Sequence, residues 1–359
     1  MDISALPLAA FILTAIGWIS RELWRWRNTK RQAAYDASKT LSDKKKLLEE
    51  MISKIEDVSF KQTLLIQLDE VNAALLGLYA KRLRQTLRDA DLPPEETLID
   101  NGRRQLQPKQ RINLKKVITQ VKALPTFLST KDLFVLGNAY YYMEQYEDAK
   151  NIYDRILNMN PNDPDTLFNR GTTYGRLEEY DNALADFNHS LELRPDDPGT
   201  LNNRGLTYRL LERYDESLVD LNRSLELRPD DPVTLHNRGN TSADLRRYEE
   251  ALADMNRSLE LRPDYPDTLI ARGIIYAELG RYEEALTDLN RSLKLKPDYS
   301  NVFYCLACVF SLWRKTDDAL SYLKKAIDKD KKFREIAKSD ENFDNMRDHP
   351  RFKKLIESD

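Results

Sequence analysis

Five glycines, Gly137, Gly171, Gly205, Gly239 and Gly273, stand 34 residues apart, and the next step lands on Ala307. One small residue at the same point of every period predicts a helix–helix contact too close for a larger side chain. The same step carries Tyr146 to Tyr180, Tyr214, Tyr248 and Tyr282, and Ala149 to Ala183, Ser217, Ala251, Ala285 and Ala319. Pro161, Pro195, Pro229, Pro263 and Pro297 close the periods, while Pro164, Pro198, Pro232 and Pro266 open the next ones. Proline ends the helix before it and suits the first turn of the helix after it. Each period therefore reads as helix, turn, helix and join, which makes this region all-α.

The unit that opens at Pro164 supplies Gly171, Tyr174, Ala183, Phe187 and Pro195. In this it resembles the tetratricopeptide repeat, whose pattern is a glycine in the first helix, an aromatic three residues on, a small residue opening the second helix, a large apolar residue four later and a closing proline. Five units between Thr130 and about Tyr299 match. A sixth, from Ser300, matches in part, with Ala307 for the glycine and Lys331 for the proline, and the fourth has Ser242 for the tyrosine. The resemblance implies a right-handed superhelical solenoid of tandem helix pairs over 130–333. The segment 334–359 is expected to cap it, with a helix from about His349 to Glu357 turning Phe352 and Leu355 toward the end of the stack. Such closing segments resemble those of other bacterial repeat arrays.

Ahead of the array lie two further zones. Ile3 to Ile19 carries no charge over 17 residues, about 26 Å as a helix and the short end of a membrane span. Asp2 precedes it, and Trp18, Trp24 and Trp26 with Arg21, Arg25, Arg27, Lys30 and Arg31 follow. That order lacks the basic start and small-residue cleavage site of a secretory signal, and it has the aromatic belt and positive flank of an anchor. The expectation is a single-pass membrane protein over 1–31, with its N-terminus outside and the array cytoplasmic; an interfacial helix or one buried in protein is the alternative. Residues 32–129 read as helical: one helix from about Asp43 to Glu56, capped by Ser42 or Asp43, a second from about Lys61 to Asp89, a break at Pro93 and Pro94, and a third from about Pro108 to Leu124. They form either a small bundle or a stalk between membrane and array.

Composition narrows the function. With 56 Lys and Arg against 59 Asp and Glu, the formal net charge is −3, which offers no global attraction for nucleic acid. His189, His236 and His349 are too scattered for a metal or catalytic cluster. Cys305 and Cys308 have redox or metal spacing but lack a second pair or a βαβ setting. The sequence contains no phosphate-binding, zinc-protease or nucleophile-elbow motif. No enzyme activity and no cofactor are expected.

Arg170, Arg204, Arg238 and Arg272 precede the glycines as a ladder, either pairing with acids of neighbouring units or forming a basic strip. Asn169, Asn203 and Asn237 stand one residue earlier. In the family this first-helix position faces the inner groove of many arrays, so the resemblance implies that these amides hydrogen-bond the backbone of an extended peptide. Phe168, Asn202 and His236 beside them would then read its side chains. The competing reading has the amides cross-linking helices. The function expected is a membrane-tethered interaction scaffold, of assembly-factor or co-chaperone type, whose groove binds a protein or extended peptide. The alternative is a sensor array coupled through oligomerisation to the membrane helix.

Overall fold

The computed structural model describes residues 34–54, 58–89, 108–122 and 128–357. The expected membrane segment over residues 3–19 lies outside the described residues, and no described helix is long and apolar enough to cross a membrane. The chain divides into two compact units, Met1–Leu177 and Glu178–Asp359.

In the first unit, α1 (Ala34–Lys54), α2 (Val58–Asp89) and α3 (Pro108–Lys122) precede α4 (Thr130–Tyr142), α5 (Tyr146–Met159) and α6 (Pro164–Arg176). The α1 helix starts at Ala34, nine residues before the expected start at about Asp43, and neither Ser42 nor Asp43 caps it. Leu41 and Leu48, both buried, lie two turns apart on one face, so the helix has to run back past Leu41 to bury both against α2. Val71, Leu75, Leu83 and Leu87 of α2 are buried as their spacing predicts. α2 and α3 both pack on α4, and Arg84 of α2 pairs with Asp132 of α4 at 2.7 Å. Among the described residues these helices thus form a bundle seated on the first repeat.

The second unit begins with α7 (Tyr180–Leu193) and continues as helix pairs: α8 (Pro198–Leu210) with α9 (Tyr214–Leu227), α10 (Pro232–Asp244) with α11 (Tyr248–Leu261), α12 (Pro266–Glu278) with α13 (Tyr282–Leu295), and α14 (Ser300–Leu312) with α15 (Thr316–Lys329). Asp197 and Asp231 cap α8 and α10 by accepting the amides of Thr200 and Thr234, ahead of prolines that need no amide partner. Between the helices of a pair the chain reverses through one left-handed residue. Those residues are Glu144, Glu178, Glu212, Arg246, Gly280 and Arg314, again 34 apart, and only one is glycine.

The periodic glycines act as the spacing predicts. A Cβ on Gly205 would lie 2.8 Å from Leu221 Cγ and 3.2 Å from the Ser217 carbonyl, and one on Gly239 would lie 2.9 Å from Met255 Cε. Leu221 and Met255 fill the notch from the second helix, and both are fully buried. Gly205→Val should therefore cost about 1–3 kcal/mol by overpacking. Gly77→Ala on the open face of α2, where nothing lies within 4 Å, should stabilise by about 0.5–1 kcal/mol. Urea midpoints of opposite sign for the two variants are the check.

The end of the second unit is more elaborate than a single capping helix. After α15 come α16 (Lys332–Ser339), a 3-10 helix (Glu341–Met346) and α17 (Pro350–Glu357). With Lys331 where the other units have proline, the chain enters a new helix at once. Phe333, Phe343, Met346 and Phe352 join Tyr304, Leu320 and Leu323 in one buried cluster. Phe352 is fully buried and Leu355 packs against the same cluster, so the expected closing contact is one of several.

Candidate functional site

The six candidate residues all lie on first helices, and most of their surface is turned inward. Phe168 is 3 % exposed and Asn169 fully buried on α6, Asn202 and Asn203 are each 5 % exposed on α8, and Asn237 is 4 % exposed on α10. His236 on α10 is half-buried.

In the second unit the amides join neighbouring helices. Asn237 Nδ2 donates to Asn202 Oδ1 at 2.8 Å, and Asn202 Nδ2 donates to Asn203 Oδ1 at 3.1 Å. The tie from α10 to α12 is made by His236. Its Nε2 accepts from Asn240 Nδ2 at 2.9 Å, which leaves the proton on Nδ1 to be donated to Thr268 Oγ1 at 3.1 Å. Tyr265 packs on the ring at 5.3 Å between centroids.

Burial is the main cause that lowers the His236 pKa to about 4; the nearby Arg209 charge acts the same way, and Asp267 opposes it. A folded pKa below the unfolded value of about 6.5 means that the unfolded chain binds more protons between pH 6.5 and 4. Stability is thus complete above pH 6.5 and is lost as pH falls toward 4. Carboxylates titrate in part of the same range, so the readout is the gap between the protein and its His236→Asn variant. That gap should narrow by about 1–2 kcal/mol between pH 6.5 and 5, as measured by urea unfolding at each pH.

In the first unit the corresponding tie uses a residue outside the 34-step ladder. Asn138 Oδ1 accepts from Asn169 Nδ2 at 2.8 Å and from Tyr153 Oη at 2.7 Å. All three side chains are buried, and burial raises the Tyr153 phenol well above its ordinary value. Asn138 precedes Asn169 by 31 residues, and Asn202 precedes Asn237 by 35. Neither pair keeps the repeat's period, which is why Asn138 does not stand out in the sequence; Thr268 does belong to a 34-residue series, with Thr166, Thr200 and Thr234.

One helical turn beyond the buried amides, the same face opens to solvent. Leu206, Asn240, Ile274 and Cys308 follow one another at 34-residue steps, as do Leu210, Asp244, Glu278 and Leu312. Leu210, Asp244, Ile274 and Glu278 are exposed and the other four half-buried. Helical spacing from the asparagines is the sequence signal that leads to them.

The arginine ladder is internal. Arg204, Arg238 and Arg272 each grip the aspartate 16 residues later through two hydrogen bonds: Asp220 at 2.6 and 2.7 Å, Asp254 at 2.7 and 2.6 Å, and Asp288 at 2.7 and 2.8 Å. The acid belongs to the arginine's own repeat, not to a neighbour. The preceding repeat contributes an amide, Asn188, Asn222 or Asn256, at 2.7–2.8 Å. In the first unit Arg170 takes Asp154 at 2.7 Å, an acid at the place those asparagines occupy.

Cys305 is buried and its thiol is pushed up to about 12, chiefly by burial and then by Asp340; Cys308 is raised well above its ordinary value by burial, Cys305 and Asp340. Such thiols resist forming the reactive thiolate. Among the described residues no three His, Cys, Asp or Glu side chains gather as metal ligands.

Two family models, both described as tetratricopeptide repeat, match the chain, one at residues 136–199 and 239–302 and the other at 198–231. Among solved structures, PilW, a widely conserved type IV pilus biogenesis factor, is 18% identical with a TM-score of 0.51, covering 61% of this chain and 98% of its own. A tetratricopeptide repeat protein from Parabacteroides merdae ATCC 43184 is 20% identical with a TM-score of 0.51, covering 71% of this chain and 97% of its own. YrrB, a repeat protein with an unusual peptide-binding site, is 22% identical with a TM-score of 0.38, covering 50% and 92%. The search of curated proteins found no match. The two structures with a TM-score of 0.51 are alike in fold, and the matched segments lead to one statement: residues 136–231 and 239–302 of this chain are tandem tetratricopeptide repeats.

Proposed function

We propose that the chain is a protein-interaction scaffold that holds an extended segment of a partner protein along the first helices of its repeats, and that residues 3–19 tether it to a membrane with the array on the cytoplasmic side. The observation that carries the binding part is the face of α8, α10, α12 and α14. Side chains there recur at fixed steps and change chemistry from repeat to repeat, from leucines through an amide and a carboxylate to isoleucine and glutamate. A regular row of unlike side chains suits a linear segment, whose side chains also recur at a fixed rise. The buried amides Asn202, Asn203 and Asn237 form the floor and hold the helices at their spacing. Support for the tether comes from the uncharged run and its Trp and Arg flank.

The binding reading is tested with Leu206→Glu and Leu210→Glu together. Partners crosslinked in cells and identified by mass spectrometry should fall at least tenfold while the melting temperature changes little; undiminished capture overturns the reading. For the tether, the full chain should sediment with membranes and resist alkaline extraction, and a soluble full-length protein would refute it.

A further inference from the structure

At the end of the second unit, a cavity of about 140 Å³ opens on the first-helix face. Its walls are Ile274 and Ala277 of α12 and Val309 and Leu312 of α14, and the turn into the 3-10 helix closes it with Asp340 and Asn342. The volume is well under the roughly 300–1,000 Å³ of sites for small-molecule ligands, and it suits one side chain. Two carboxylates, Glu278 and Asp340, line the same cavity, and no lysine or arginine does.

Neither carboxylate is held in an ion pair among the described residues. The Asp340 carboxylate accepts from neutral groups, Tyr304 Oη at 2.5 Å, the Asn342 amide at 2.9 Å, Asn342 Nδ2 at 2.9 Å and Cys308 Sγ at 3.9 Å, while the Arg347 guanidinium donates to the Asp340 backbone carbonyl at 2.8 Å and not to the carboxylate. Glu278 is exposed and makes no ion pair among the described residues. The acid at the same place one repeat before Glu278, Asp244, is held by Arg209 at 2.6 Å. Apolar walls favour methylene groups, whereas two carboxylates without an ion-pair partner favour a cation that donates hydrogen bonds. An acidic side chain would be repelled, and a purely aliphatic one would leave the charge unanswered. Lysine and arginine combine a (CH₂)₃ or (CH₂)₄ stem with a cationic head, and they bury the stem while keeping the head at a polar rim.

We propose that the last repeat and the C-terminal segment together form an end pocket that takes a lysine or arginine side chain of the partner segment. The proposal rests on the binding face described under Proposed function and names the chemistry of the residue seated at its C-terminal end. The closing segment then has two tasks, since the 3-10 helix that covers the stack also supplies Asp340 to the pocket.

Two fluorescein-labelled twelve-residue peptides test this with the full chain: one alternates leucine and arginine, and the other has glutamate in place of every arginine. Anisotropy titrations in 0.1 M salt should show the basic peptide binding at least tenfold more tightly. Glu278→Lys should remove most of that preference. Glu283→Lys, which changes net charge equally from an exposed site on α13 outside the cavity, should leave it in place. Both substitutions are at exposed positions, so loss of folding does not confuse the result. Equal binding of the two peptides, failure of both to bind, or equal effects of Glu278→Lys and Glu283→Lys overturns the basic pocket. The general binding face is judged separately through Leu206 and Leu210, which lie outside the cavity.

Discussion

Arg272→Met is expected to destabilise the second unit by about 2–4 kcal/mol. Asp288 is nearly buried, its side chain 6 % exposed against 20 % for Arg272, and the arginine supplies it with two hydrogen bonds and a positive charge. Removing one partner of a buried pair costs about 3–5 kcal/mol, because the other charge stays behind in a medium that solvates it poorly. Partial exposure of the guanidinium trims that figure. The lost Nη1 contact to Asn256 spreads the damage to the junction with α11. Arg272→Met with Asp288→Leu should recover much of the loss, since a packed apolar pair often equals a buried ion pair. Because repeats unfold by neighbour-coupled steps, the measurement of choice is hydrogen exchange over α12 and α13 rather than a single melting curve. Additive effects of the two substitutions would show that the charges do not act as a pair.

The second large effect is expected in the first unit. Asn138→Ala should cost about 2–4 kcal/mol, because one acceptor serves two buried donors, Asn169 Nδ2 and Tyr153 Oη. A buried donor that loses its acceptor costs about 1–3 kcal/mol, and the missing side chain adds a small void. Exchange should quicken in α4, α5 and α6, the helices that carry the three side chains. Tyr153→Phe combined with Asn138→Ala should be milder than the sum of the singles, as expected of partners in one network. A loss below about 0.5 kcal/mol for Asn138→Ala would place the hydrogen bonds outside the determinants of stability.

These two predictions rest on different kinds of information. The helix pairs, their joins and the notch for Leu221 at Gly205 are legible in the sequence, because backbone propensity and close packing recur with the period and each copy repeats the statement. The arginine ladder was legible as a ladder, with its partners undecided between neighbouring acids and a basic strip. Its direction was not legible, since an arginine reaches acids ahead of it and behind it with equal ease, and only the packing of α12 on α13 selects Asp288 over an acid of the next repeat.

The asparagines mark the boundary between the two sources. Their first-helix register at 34-residue steps was readable in the chain, but the bonds they make span 31 and 35 residues and follow no period. A side chain near a helix–helix seam turns into the seam or out to solvent according to a rotation of a few tens of degrees, which residue spacing does not encode. The C-terminal pocket lies on the same side of that boundary. Asp340 and Glu278 are 62 positions apart in an ordinary-looking charged sequence, and they come together because Lys331 stands where proline ends the other repeats and leads directly into α16, so that the chain folds back over α14. By itself the sequence determined the repeating unit, its helices and their closest contacts, since these depend on local conformation and on volume. The tertiary structure alone decided which polar groups satisfy one another and which face solvent, since hydrogen bonds and ion pairs depend on direction and distance in space.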